Sequence, residues 1–79
     1  MKIQLIKGHF ESQEAIDILT QMIQIKIKFH EDQIHHSHNE EDIKMREKRI
    51  KQLQHDLSDI RNHIQQQPEK ISLQCEVQL

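Results

Sequence analysis

Residues 43–64, I-K-M-R-E-K-R-I-K-Q-L-Q-H-D-L-S-D-I-R-N-H-I, decide the fold. Ile43, Ile50, Leu57 and Ile64 recur every seven residues, and Leu53 and Ile60 fall between the last three. Spacing that alternates between three and four places an apolar stripe along one side of a helix, as in a coiled-coil seam. Asp42–Arg46 and Glu47–Lys51 add favourable pairs four residues apart on its surface. Asn39 is the natural N-cap, and Glu40, Glu41 and Asp42 suit the positive end of the helix dipole. Pro68 stops the pattern, so the spacing predicts a helix over 40–66.

A narrow stripe needs a partner, and residues 12–36 supply one. Ser12 is the expected N-cap, followed by Glu14 and Asp17 in the first turns. Ile16, Leu19, Ile23, Ile27 and Ile34 follow helical spacing, and His35–His38 breaks it, predicting a helix over 12–36 and a turn over 35–39. Folding back at that turn pairs residues whose numbers sum to 76 or 77. The layers are then Ile34–Ile43, His30–Arg46, Ile27–Ile50, Ile23–Leu53, Leu19–Leu57 and Ile16–Ile60. Five are apolar on both sides, and His30–Arg46 is polar on both, with Asp42 one turn before Arg46. Two patterns that agree layer by layer specify a long antiparallel helical hairpin.

Outside the hairpin the period changes to two. Ile71, Leu73, Cys75, Val77 and Leu79 alternate with polar residues, which predicts a strand over 70–79. Met1–Lys7 is a second strand candidate, expected over 1–8 with Ile3 and Leu5 on one face, Ile6 on the other, and Gly8 as its end. The expected order is β-α-α-β in a single, mostly helical domain of residues 1–79. The strands meet at the open end of the hairpin, where their apolar face has the first helix to lie on.

At 79 residues the core alone contributes no more than roughly 3–5 kcal/mol. With one cysteine, Cys75, no disulfide within the chain is possible. The first helix also carries Ile18, Met22, Ile25 and Phe29 on a face the second helix cannot reach. Together its two apolar sets span about 200° of arc, wider than an ordinary amphipathic stripe. A two-stranded ribbon is marginal in water, and its open edges invite another chain. These features predict completion of the fold by oligomerisation, as a homodimer or higher oligomer, through the strand edges, the Ile18–Met22–Ile25–Phe29 face, or both.

The formal charge of −2 argues against a general polyanion binder, although protonation of all seven histidines would bring it to +5. Absence of Trp and Tyr removes the usual stacking platforms for bases. Lys44, Arg46, Lys48, Arg49 and Lys51 are basic but spread around most of the helix, just downstream of three acids. A strand followed by two helices resembles ribbon-helix-helix repressors in element order, but those have much shorter helices and a tight turn. His30, His35, His36 and His38 are weak metal candidates, since Ile34 stands where a H-E-x-x-H motif needs its second histidine. No nucleophile–base order, glycine-rich phosphate loop or cofactor motif is present, so no enzyme and no cofactor is expected. No apolar run reaches a membrane span and no leader is recognisable; with a free cysteine, a cytoplasmic setting is expected. The functional expectation is a small oligomeric protein–protein interaction module, an adaptor or regulator. The alternative is a small DNA-binding regulator or antitoxin-like protein using the ribbon or the basic part of the second helix.

Overall fold

The seam residues of the second helix need an apolar surface along their whole length, and the chain folds back to provide it. The computed structural model describes residues 1–79, in the order β1 (Lys2–Phe10), α1 (Ser12–His36), α2 (Glu40–Gln65) and β2 (Ile71–Gln78). Ile16, Ile23 and Leu53 of the layers are buried, and Leu19, Ile27, Ile34, Ile43, Ile50, Leu57 and Ile60 are half-buried. Packing of this kind outweighs the slightly poor helix propensity of the many isoleucines in α1, a difference of only a few tenths of a kcal/mol per residue.

The helix ends are set by short connections. Because β1 runs to Phe10, only Glu11 separates strand from helix. Glu11 is therefore the N-cap and Ser12, the residue expected there, is already helical. Glu14 Oε1 accepts from the Glu11 N–H at 3.0 Å, so an acid at the third helical position does the capping. Asn39 caps α2 as its sequence suggests, its Oδ1 accepting from the N–H groups of Glu41 (2.9 Å) and Asp42 (3.2 Å). α2 ends at Gln65, one residue before the expected 66; Gln66 is the C-cap, its N–H turned back to the His63 carbonyl at 3.3 Å.

β1 and β2 pair antiparallel, and the observed register corrects the reading of β1 in two ways. Gly8 does not end the strand: it pairs with Leu73, and the ladder continues to Phe10–Ile71. Phe10, two residues on, holds its ring where a Cβ on Gly8 would touch it at 3.7 Å, so the aromatic shields the bare backbone. The second correction is a bulge between Gln4 and Ile6. Strict alternation in β2 fixes which side of the ribbon is apolar, and a slip of one residue would turn β1 inside out. The extra residue, Leu5, absorbs that slip and is left 57% exposed. The apolar pairs become Ile3–Val77, Ile6–Cys75, Gly8–Leu73 and Phe10–Ile71 on one face. Ile3 thus shares its face with Ile6 and not with Leu5. β2 itself spans 71–78, inside the expected 70–79.

Ribbon and hairpin meet at one corner. Ala15, Ile16 and Ile64 form the buried cluster there, with Phe10, Leu19, Ile60, Ile71 and Leu73 packed around it. Ile3, Ile6, Cys75 and Val77 take no part in it, so the expectation that the apolar ribbon face lies along the first helix holds only at its proximal end. The distal half extends beyond the helices, giving Cα extents of 46 × 33 × 13 Å. The radius of gyration is 15.2 Å, against about 11.6 Å for a compact chain of this length.

Candidate functional site

The one polar layer of the hairpin brings together residues from both helices. Arg46 of α2 donates from Nη1 to His30 Nδ1 of α1 at 3.1 Å and from Nε to Asp42 Oδ2 at 3.3 Å. His30, Arg46 and Asp42, grouped from the sequence, are all half-buried. Phe29 closes the layer from outside: the Arg46 Cζ lies 5.9 Å from its ring centroid, and the His30 ring meets it edge-on at 5.7 Å. Accepting from a guanidinium, which is never an acceptor, requires His30 to be neutral with its proton on Nε2.

The electrostatics agree with that state. The His30 pKa is lowered from its ordinary 6.5, first by partial burial of the ring and then by the positive charges of Arg46, Arg49 and Lys26. Burial outranks Arg46, the cause the sequence suggests. Asp42 spends its carboxylate on Arg46 and does not reverse the sign. The unfolded chain therefore binds more protons at this residue. Its contribution to stability is complete above the unfolded pKa and fades as pH falls through the lowered folded value. His30→Leu should match or exceed wild-type stability, because polar layers of this kind fix register more than they stabilise. Its urea-unfolding stability should also vary less with pH between 5 and 7. Wild-type pH dependence in the variant would contradict this origin.

The other candidates are not assembled. No three of His30, His35, His36 and His38 bring ligand atoms within 4.8 Å of one another. His36 Nδ1 instead lies 2.7 Å from the Asp32 carbonyl. The group that does meet this distance is His55, Asp56 and Asp59, which the sequence reading missed. Its i, i+1, i+4 spacing on α2 was the available signal, and its exposed His55–Asp59 pair at 3.2 Å already accounts for the proximity. On the basic stretch, Lys44, Lys48, Arg49 and Lys51 are exposed, whereas Arg46 is held in the polar layer. On the spare face of α1, Ile18 and Met22 are half-buried while Ile25 and Phe29 are 70% and 56% exposed. Cys75 is a free, half-buried thiol on the apolar ribbon face.

A groove of about 550 Å³ flanks the core cluster between α2 and β2. Its walls include Leu19, Ile60, Ile64, Ile71 and Leu73, and no residue of β1. Of its polar members, Asp59 pairs with His55, His63 with Gln67, and Lys70 with Glu11. No helix is long and apolar enough to cross a membrane. The chain matches no protein-family model, no curated protein and no solved structure.

Proposed function

We propose that this chain is a small protein–protein interaction module, an adaptor or regulator without catalytic activity, whose working form is a self-associated oligomer. The observation that carries this reading is unspent surface. Only five of 79 residues are buried, and the accessible area is 6458 Å². A compact monomer of 9.6 kDa exposes about 5,100 Å². Part of the difference is apolar: Met1 is 81%, Leu79 75% and Ile25 70% exposed. Large contiguous apolar patches on a protein surface mark sites for another protein. The free Cys75 favours a reducing, cytoplasmic setting.

Engagement of Arg46 between the helices leaves the DNA-binding alternative with fewer free cations on α2. Light scattering at micromolar concentration tests the self-association. A molar mass of at least twice 9.6 kDa is expected, and a clean 9.6 kDa monomer would overturn it.

A further inference from the structure

Two edges of the ribbon are open, and they differ. β1 carries the bulge at Leu5 together with Lys2 and Lys7, devices that discourage strand addition. β2 is regular over its eight residues, with no bulge or proline and Glu76 as its single charge. We infer that a second copy of the chain adds to the free edge of β2 about a two-fold axis at Cys75, forming a four-stranded antiparallel sheet β1-β2-β2-β1. The inference deepens the self-association reading and rests on it.

Backbone geometry defines what that edge offers. The Met1 amine donates to the Leu79 carbonyl at 2.9 Å, and the Leu79 N–H donates to the Met1 carbonyl at 2.7 Å. This exchange turns the backbone groups of odd-numbered β2 residues toward β1. By alternation, Ser72, Gln74, Glu76 and Gln78 turn theirs outward. Opposed residues in an antiparallel pair share a face, so a symmetric β2–β2 ladder must set odd against odd. Centred on Cys75, it opposes Ile71 to Leu79 and Leu73 to Val77, and it pairs Glu76 with Gln74. Centring on Glu76 would oppose two like charges. Centring on Gln74 would leave Leu79 opposite Glu69, outside β2.

The groove supplies an independent reason for the Cys75 register. It lies beside Ile71 and Leu73, and its lining draws on β2 but not β1. In this register Leu79 and Val77 of the second copy arrive opposite Ile71 and Leu73, on the apolar face, and enter that groove. Leu79, 75% exposed in the single chain, gains a place to bury. The antiparallel register sets the hairpins at opposite ends of the four-stranded sheet. The size also fits: the single chain exposes about 1,400 Å² more than a compact monomer, and a standard interface removes about 800 Å² per partner.

Light scattering on wild type, Gln74→Pro and Lys7→Pro tests the edge. Proline at residue 74 deletes an outward N–H without touching the β1–β2 ladder, and Lys7→Pro does the same on β1. Wild type and Lys7→Pro should be dimers, and Gln74→Pro a monomer with unchanged helical circular dichroism at 222 nm. A second measurement stands apart from any variant. Cys75 and its symmetry mate form a non-hydrogen-bonded pair with Cα atoms about 4.5 Å apart, within disulfide range. Diamide, which accepts the two thiol hydrogens, should therefore convert the wild-type dimer to a covalent one. A dimer indifferent to Gln74→Pro and not cross-linked would overturn the β2 edge while leaving self-association intact. A monomeric wild type would overturn both.

Discussion

Ile64→Ala is expected to leave the chain largely unfolded at room temperature. Ile64 is the most buried large side chain, at 3% exposure, and it touches both halves of the molecule. Truncating a buried isoleucine to alanine costs about 2–5 kcal/mol, since the cavity cannot fully collapse. A core this small supplies roughly 3–5 kcal/mol in all, so the two magnitudes nearly cancel. Leu5→Ala is the contrasting variant, because Leu5 is the exposed residue of the bulge and should shift stability by less than about 0.5 kcal/mol. Urea titration followed at 222 nm separates the two. Comparable midpoints would mean that the corner cluster is not the centre of the fold.

Ala15→Asp should be nearly as damaging, and it sets two effects in opposition. Residue 15 lies near the N-terminus of α1, where a negative charge gains at most about 1 kcal/mol from the helix dipole. The position has no exposed surface, however, and is walled by Ile16, Ile64 and the ribbon. An uncompensated buried charge costs on the order of 3–5 kcal/mol, so burial wins by about 2–4 kcal/mol. Ser12→Asp, in the same turn but half-exposed, isolates the dipole and is expected to be neutral or slightly stabilising. Calorimetric melting of both variants decides it, and a tolerated Ala15→Asp would show that ribbon and helix are not in contact there.

The hairpin was legible because its information is local and duplicated. The α2 spacing and the α1 spacing each define a stripe, and they agree on a register that puts His30 beside Arg46. Position 15 was not legible, because alanine carries no hydrophobic signal strong enough to announce a contact. The bulge was hidden for a different reason. In β1 both Leu5 and Ile6 are apolar, so period two alone permits either to face inward. The choice is made 70 residues away by the uninterrupted alternation of β2. At His35, His36 and His38, weak metal candidates from the sequence, closeness along the chain does not bring three ligand atoms together. Function was least legible, since the interaction surface proposed above has no fixed chemistry to spell out in the sequence.

The hydrogen bonds joining Met1 to Leu79 span 78 positions of chain. Closing a loop of that length from the unfolded state costs roughly 4 kcal/mol of chain entropy before a single ladder bond forms. The turn at residues 37–39 offers a cheaper order of events. Each layer from Ile34–Ile43 to Ile16–Ile60 closes a gap already narrowed by the one before it. Once Ile60 has met Ile16, Glu11 and residues 66–70 are the only connections left between the helices and the two strands. The ribbon is therefore expected to form last and to part first. Its two ends are the free tips of a zipper whose stop is the Asn39 cap, and the β2 edge proposed to meet a second copy exists only after the whole length has closed.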